Sequence, residues 1–255
     1  SSRPATLRPL STPEKPVETP VEATNAALPA QRGPAVDYDA LLDALDPATA
    51  RAAAAEAILH KWGLTDTGSA PRGDAIDDLV QFAAEHGLDA QPLVPTLEQL
   101  VSIDLPAFAL VLGKDAEPMW IGIVGRRDDE LQVALGSGRV EFVPIKAIDK
   151  RYTVQAVVLW RDPMPGLPVL REAAQGETVV ALQEQLRDLG RLASEPSGVY
   201  DGPTAAAVRR LQSELNLTID GKVGRQTRMV LCSWSPDVAM ARLSSVAPEP
   251  SAPAA

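Results

Sequence analysis

The sequence predicts an α+β fold followed by a small helical module. Helical patterns come first, between residues 37 and 103, and a run of short strand patterns follows up to residue 160. Helices grouped ahead of strands are typical of α+β domains, whereas alternation of the two would favour a doubly wound sheet. Beyond residue 160 the spacing of apolar residues returns to the helical period, which predicts a second unit.

The first predicted helices carry recognisable start signals. The stretch 37-DYDALLDAL-45 opens the folded part, and Asp46 followed by Pro47 is a capping residue followed by a first-turn proline. A third helix is predicted for 74-DAIDDLVQFAAEHG-87, because its apolar residues fall on one face. A short fourth helix is predicted over residues 96–103.

Five strands are predicted next, because the apolar runs shorten and are separated by turn residues. They are 106-PAFALVLG-113, 119-MWIGIVG-125, 131-LQVAL-135, 140-VEFV-143 and 152-YTVQAVVLW-160. The separators 126–130 and 136-GSGR-139 are typical of hairpin turns. The strands therefore indicate an antiparallel sheet.

Proline and glycine mark the limits of the predicted domains. The stretch 161-RDPMPGLPVL-170 separates the strands from three short helices, so we place the α+β domain at 37–163 and the helical module at 164–243. Prolines recur through residues 1–36 with almost no aliphatic clustering, which predicts a disordered linker there. The tail at 244–255 has the same character and the same prediction.

Charge and composition exclude several classes of function. The formal net charge is -10, which argues against nucleic acid or an anionic membrane surface as a partner. With one cysteine, Cys232, an intramolecular disulfide cannot form. No signal peptide or membrane-spanning apolar run is present, so we interpret the sequence as a segment whose membrane anchor would precede Ser1.

Two similar phrases occur in the helical module, 198-GVYDGPTAAAVRRLQ-212 and 220-DGKVGRQTRMVL-231. Each places Asp and Gly ahead of a Thr and an apolar run, which predicts a tight loop entering a helix. Together with 176-GETVVALQEQLRDLG-190, they resemble the peptidoglycan-binding domain found as a cell-wall anchor on many bacterial proteins. Leu211 stands where that family usually has Phe before Gln212.

This resemblance implies a peptidoglycan-binding site. Asp, Thr, Gln and Arg side chains and Gly backbone N–H groups offer donors and acceptors for acetamido and peptide groups. The candidate residues are Asp201, Thr204, Arg210, Gln212, Asp220, Gly221, Arg225 and Thr227.

The alternative is that the two Asp and two Thr residues among these candidates only cap loops and helix starts. Arg210, Gln212 and Arg225 would then be the exposed contacts of a groove.

The α+β domain carries a second resemblance, through 96-TLEQLVSIDLPAFALVL-112, 119-MWIGIVGRRDDELQVALGSGRVEFVPIKAI-148 and 152-YTVQAVVLW-160. These segments resemble the papain-like C39 peptidase fold, whose chemistry needs Cys, His and Asp. The expected Cys is missing from the helix at 50–62, Met119 or Trp120 stands at the His position, and 133–140 contains no Asp. We therefore predict no enzyme activity.

The remaining reactive side chains do not form a recognisable site. His60 and His86 stand near helix ends, where an imidazole interacts favourably with the helix dipole, and Cys232 lies in an apolar run typical of a buried thiol. No His/Cys pairing has the spacing of metal ligands. We predict no cofactor and no metal.

The order of these domains resembles the periplasmic region of the general secretion pathway protein A family, the ExeA-type ATPases of type II secretion. The resemblance implies a periplasmic location within an inner-membrane-anchored protein. It implies two partners, peptidoglycan and an inner-membrane general secretion pathway protein B, and a role in placing the outer-membrane secretin through the wall. A homo-oligomer is compatible with it. We also consider addition of a partner strand to an open edge at 106–113 or 152–160.

Two other functions remain open from the sequence. A cell-wall hydrolase would need an acid/base pair of carboxylates, for which the available residues are Asp74, Asp77, Asp78 and Asp115. A protein-interaction module without wall binding is the other alternative, because a fold does not fix a function.

Overall fold

The computed structural model describes residues 37–65, 69–136 and 139–244. The predicted linker at 1–36 and all of the predicted tail except Ser244 lie outside the described residues, as do two residues of the predicted turn at 136–139. The described residues form one compact unit.

Four helices form the N-terminal half of the α+β domain: α1 (Tyr38–Asp43), α2 (Pro47–Lys61), α3 (Ile76–Glu85) and α4 (Leu97–Ile103). The predicted capping residue Asp46 accepts a hydrogen bond from the Thr49 N–H at 2.9 Å. At α4, Thr96 and Gln99 exchange hydrogen bonds at 2.8 and 3.2 Å, so each satisfies a backbone N–H of the other. The four predicted helices are confirmed.

The domain also contains a six-stranded antiparallel sheet, whose first strand precedes α4, with strand order β1-β6-β2-β3-β4-β5. The strands are β1 (Asp89–Leu93), β2 (Ala107–Leu112), β3 (Pro118–Arg127), β4 (Glu130–Gly136), β5 (Arg139–Pro144) and β6 (Tyr152–Trp160), with a helical turn α5 (Ile145–Asp149) before β6. The five predicted strands are confirmed, whereas β1 and α5 were not predicted. Strand β1 has the sequence DAQPL and contains Pro92, which sheets accept at an edge.

The edge strands differ from those expected. Strand β2 pairs with β3 and β6, and β6 pairs with β1 and β2, so both lie inside the sheet. The expectation of an open edge at 106–113 or 152–160 is therefore wrong. Within the described residues, the sheet ends at β1 and β5.

Both faces of the sheet are covered. On one face α2 and α3 enclose a core that includes Ile58, Phe82, Phe108 and Trp120. Helix α2 lies very close to β3, because a Cβ at Gly122 would come within 2.7 Å of the Ala54 Cα. A side chain at this position would therefore push the helix from the sheet.

The opposite face of the sheet shares its core with the C-terminal module. The module consists of α6 (Glu177–Asp188), α7 (Gly202–Glu214) and α8 (Arg225–Trp234). Its buried residues, among them Leu186, Leu211 and Met229, belong to the same apolar cluster as Val158 and Trp160 of the sheet. The predicted fold class, an α+β domain with an antiparallel sheet followed by a three-helix module, is confirmed, and a continuous core joins its two parts.

Within the described residues, no helix combines the length and the apolar character needed to cross a membrane.

Candidate functional site

A buried glutamine holds the loop that leads into α7. The Gln183 Oε1 accepts hydrogen bonds from the Ser197 and Gly198 N–H groups, both at 2.9 Å. Its Nε2 donates to the Val199 carbonyl and to the Thr204 hydroxyl, again at 2.9 Å. We call Gln183 with residues 197–204 the first clamp.

A second glutamine repeats this arrangement ahead of α8. The Gln212 Oε1 accepts hydrogen bonds from the Asp220 and Gly221 N–H groups at 3.1 and 2.9 Å. Its Nε2 lies 3.0 Å from the Asp220 carboxylate, the Lys222 carbonyl and the Thr227 hydroxyl, all acceptors. We call Gln212 with residues 220–227 the second clamp.

The two clamps share their backbone geometry as well as their bonds. Gly198 and Gly221 stand at equal distances in the sequence from Thr204 and Thr227 and have φ angles of 70° and 68°. Glycine adopts this left-handed conformation without the steric cost that a Cβ would add. The resemblance between the two phrases in the sequence thus reflects a repeated structural unit.

Burial decides what several predicted site residues can do. Thr204 is fully buried, Gln212 is 1% exposed and Thr227 is 3% exposed, and Gly221 is buried as well. These four residues shape the loops from inside and present no side chain to a ligand. Gln212 therefore differs from the exposed groove contact that we expected.

The two predicted aspartates have structural roles: Asp201 caps the start of α7, and the Asp220 side chain bonds within the loop ahead of α8. Asp201 accepts hydrogen bonds from the Thr204 hydroxyl and N–H at 2.6 and 3.0 Å, and these bonds hold its pKa below the ordinary value. Burial raises the pKa of Asp220, but hydrogen bonds from the Lys222 N–H and Gln212 outweigh it, so the net pKa is lowered. Both carboxylates are therefore ionised at neutral pH.

The two predicted arginines have different environments. Arg210 is exposed on α7 and makes no ion pair or hydrogen bond with any part of the chain that the structure describes. Arg225 pairs with the Asp89 carboxylate of the α+β domain, and its guanidinium lies 6.0 Å from the centre of the Trp160 ring. Arg210 is thus available to a ligand, whereas Arg225 joins the module to the sheet.

A buried ion pair lies close to Arg225. The guanidinium of Arg228 binds the carboxylate of Asp162 with two nitrogens, and the two side chains are only 8% and 5% exposed. Burial raises the pKa of Asp162, but hydrogen bonds from Arg228 and the Met164 N–H outweigh that effect, so the net pKa lies below its ordinary value. We call the contact carried by Asp89, Asp162, Arg225 and Arg228 the seam.

Further hydrogen bonds extend the contact between the two parts of the chain. They run from Gln99 to the Glu214 carbonyl at 2.9 Å, from Asn216 to the Val94 carbonyl at 2.7 Å, and from the Trp234 indole N–H to the Ser102 carbonyl at 2.7 Å. After α8 the chain returns to the sheet, where Leu243 bonds to Asp104 and Arg126. The module is therefore held at both of its ends.

Sequence reasoning missed Gln183, Asp89, Asp162 and Arg228. A signal for Gln183 was present, since a Leu-Gln pair stands in both α6 and α7, at 182–183 and 211–212. The seam residues gave no such signal, because the partners Asp162 and Arg228 are 66 positions apart.

The residues that stand where a C39 peptidase would have its catalytic His make structural contacts instead. Trp120 faces α2, is 2% exposed, and donates its indole N–H to the Asp74 carbonyl at 2.8 Å. Met119 is 1% exposed on the other face of the sheet. The Asp74 carboxylate pairs with Arg51 of α2. Asp74 is thus bonded to α2 through Arg51 and to β3 through Trp120.

Three other side chains considered from the sequence, those of Asp78, His86 and Cys232, make local contacts or are buried. Asp78 accepts a hydrogen bond from the Ala75 N–H at the start of α3, at 3.3 Å. The His86 Nδ1 lies 2.7 Å from the Phe82 carbonyl. Cys232 is buried in α8, where burial raises the pKa of its thiol to about 11. Among the residues that the structure describes, no three His, Cys, Asp or Glu side chains are grouped to hold a metal.

Comparison with known proteins identifies the module. Residues 175–231 match the family described as "Putative peptidoglycan binding domain". The match covers α6, α7, both clamps and most of α8. No curated protein matches the chain significantly.

Several solved structures are similar to parts of the chain. The SleB N-terminal domain is 33% identical over 25% of this chain and 88% of its own, with a TM-score of 0.25. A periplasmic domain of the EpsAB fusion protein of the Vibrio vulnificus type II secretion system is 18% identical over 74% of this chain and 80% of its own, with a TM-score of 0.41. The peptidase domain of Streptococcus ComA is 13% identical over 45% of this chain and 93% of its own, with a TM-score of 0.38. The family match confirms the module recognised from the sequence, and over residues 175–231 the chain carries a domain of the peptidoglycan-binding family.

Proposed function

We propose that this chain is a non-catalytic periplasmic scaffold that binds peptidoglycan in a type II secretion assembly. The observation that carries the proposal is the family match over residues 175–231, which includes both clamps. In this role the module binds peptidoglycan, and the α+β domain binds a partner protein. The order of the domains supports the assignment to secretion, because it resembles the periplasmic region of general secretion pathway protein A.

The lack of catalysis is part of the proposal and is supported by the residues of the α+β domain. Trp120 is buried against α2, and its indole N–H is already bonded to the Asp74 backbone. The Asp74 carboxylate is paired with Arg51. A nucleophile, a base and an orienting acid in mutual hydrogen-bond reach are what thiol peptidase chemistry requires. The groups described around α2 and β3 do not have that chemistry.

The seam supports a scaffold role mechanically. A buried ion pair and a continuous apolar core hold the module against the sheet, so wall binding by the module would fix the orientation of the α+β domain. Domains joined by a flexible linker would instead move independently. A fixed orientation suits a protein that places another component at a defined point in the wall.

For the inner-membrane partner, of the general secretion pathway protein B type, we propose the β5 edge as the binding surface. Within the described residues, β5 pairs with β4 alone, and Val140 on it is 40% exposed. An extended segment of a partner adds to such an edge through main-chain hydrogen bonds. Edge β1 is less accessible, because Asp89 on it is paired with Arg225 of the module.

Wall binding is tested by co-sedimentation of the chain with insoluble purified peptidoglycan. We expect the wild type to appear in the pellet and Arg210→Ala to appear there in a smaller fraction, because Arg210 is exposed and unpaired among the described residues. Arg225→Ala is the matched control, expected to sediment like the wild type, since the Arg225 guanidinium is bound to Asp89. Circular dichroism verifies that each variant is folded.

Two outcomes of this experiment would contradict the proposal. If the folded wild type stays entirely in the supernatant, the chain does not bind the wall, and the alternative of a protein-interaction module is favoured. A fall in the turbidity of the peptidoglycan suspension on incubation with the chain would indicate hydrolysis, and the scaffold would then be an enzyme.

A further inference from the structure

The exposed surface of the module carries charges of both signs beside the clamps. Arg209 on α7 pairs with Glu172 at 3.5 Å, and these side chains are 48% and 62% exposed. Lys222 and Asp220 of the second clamp are also exposed. None of these four residues takes part in the seam. A mixed-charge surface therefore lies on the module outside the seam.

Arg209 lies where the two clamps meet. A Cβ built at Gly221 would be 2.8 Å from the Arg209 Nε, so the arginine side chain lies directly over the backbone of the second clamp. The first clamp is joined to the same point, because the Tyr200 hydroxyl donates to the Gly221 carbonyl at 2.8 Å. The rigid backbone of both clamps thus supports one exposed guanidinium.

The module offers no exposed aromatic ring to a sugar. Tyr200 and Trp234 are the two aromatic residues that the sequence has beyond residue 161. Tyr200 is 1% exposed, and the indole of Trp234 is bonded to the Ser102 carbonyl and lies 5.4 Å from the Arg191 guanidinium. Aromatic rings provide the flat apolar contact that orients many ligands in shallow sites. The surface is thus better suited to charged groups than to a glycan.

We propose that Arg209 and Glu172 bind the stem peptide of peptidoglycan and that the glycan strand is not recognised. This proposal rests on the proposed function. Arg209 binds a stem-peptide carboxylate, and Glu172 binds a free ammonium group of the same peptide. An exposed ion pair contributes little to stability. Breaking the pair between Arg209 and Glu172 so that each can bind a ligand group therefore costs little free energy. Stem peptides carry both kinds of charge, which complements this surface.

The test uses the whole chain with three materials: intact insoluble peptidoglycan, the soluble glycan strands that remain after an amidase has removed the stem peptides, and the isolated stem tetrapeptide. We expect the chain to sediment with intact material, and in calorimetry to bind the tetrapeptide but not the soluble glycan strands. Arg209→Ala is expected to weaken tetrapeptide binding by about tenfold, because a charge-assisted hydrogen bond contributes roughly that factor. Added salt should weaken wild-type binding as well.

Arg187→Ala is the matched control, because Arg187 forms an exposed ion pair with Glu195 elsewhere on the module. It should bind the tetrapeptide like the wild type. Calorimetric binding to the soluble glycan strands would overturn the peptide proposal while leaving wall binding in place. Unchanged binding by folded Arg209→Ala would also overturn it. Failure to sediment with intact peptidoglycan would contradict wall binding and the peptide proposal together.

Discussion

Replacing Arg228 with alanine should destabilise the chain by about 3–5 kcal/mol, the range observed when one partner of a buried ion pair is removed. The substitution leaves the Asp162 carboxylate, whose side chain is only 5% exposed, without its counter-charge. It also loosens the contact between the module and the sheet, since Asp162 and Arg228 come from different parts of the chain. Chemical denaturation followed by circular dichroism measures the free energy of unfolding.

Two comparisons separate the contribution of charge from that of packing. Arg228→Met keeps most of the aliphatic stem and should lose nearly as much stability as Arg228→Ala, because the unpaired carboxylate remains. Arg187→Ala breaks an ion pair whose side chains are 39% and 82% exposed, and should cost less than about 1 kcal/mol. Equal, small losses for Arg228→Ala and Arg187→Ala would show that the buried pair does not hold the seam.

The same ion pair predicts an acid dependence of stability. Because the pKa of Asp162 in the folded chain lies below its ordinary value, its contribution is fully present above about pH 4, near the pKa of an unfolded Asp. That contribution is lost as the pH falls through the folded pKa. In Arg228→Ala, burial raises the pKa of Asp162 without opposition from the guanidinium, so protonation relieves the buried charge.

The difference in unfolding free energy between wild type and Arg228→Ala should therefore be largest at pH 7 and shrink toward pH 4. Denaturation curves at both pH values measure this difference for each protein. A difference that does not change with pH would mean that Asp162 is not the group left unpaired.

Local signals in the sequence were sufficient to predict most elements of the fold. The Asp46 cap, the Thr96 and Gln99 capping box and the continuous apolar run of β6 act over a few residues, so they can be read from the chain directly. Strand β1 has no such signal. Its five residues, DAQPL, include no aromatic or β-branched residue and no apolar run, and they form a strand by pairing with the inner strand β6.

The loops of the candidate site could be predicted from the sequence, but the exposure of its side chains to solvent could not. The repeated Asp, Gly and Thr phrases located the loops of both clamps, because each loop enters its helix within one phrase. Whether Gln212 faces solvent or Arg225 binds a ligand depends on what packs against them, and that is decided by distant residues such as Asp89. Long-range partners of this kind leave no periodic signal in a single sequence.

Replacing Gln212 with alanine should cost roughly 3 kcal/mol or more, because several buried polar groups lose their partner and each unsatisfied group costs about 1–3 kcal/mol. The Gly221 N–H and the Thr227 hydroxyl both bond to Gln212, and both residues are buried. Gln212→Glu should also be strongly destabilising. It keeps an acceptor for the two N–H groups, but it removes the donor and places a carboxylate beside Asp220.

Gln226→Ala is the control for this prediction, because the Gln226 side chain accepts a single exposed hydrogen bond from the Thr218 N–H. It should lose less than about 1 kcal/mol. Thermal and chemical unfolding of the three variants gives the comparison, and peptidoglycan sedimentation of the folded fraction shows whether the second clamp is needed for binding. If Gln212→Ala were as stable as Gln226→Ala, the clamp would not be what holds the loop, and α8 packing alone would have to position Gly221 beneath Arg209.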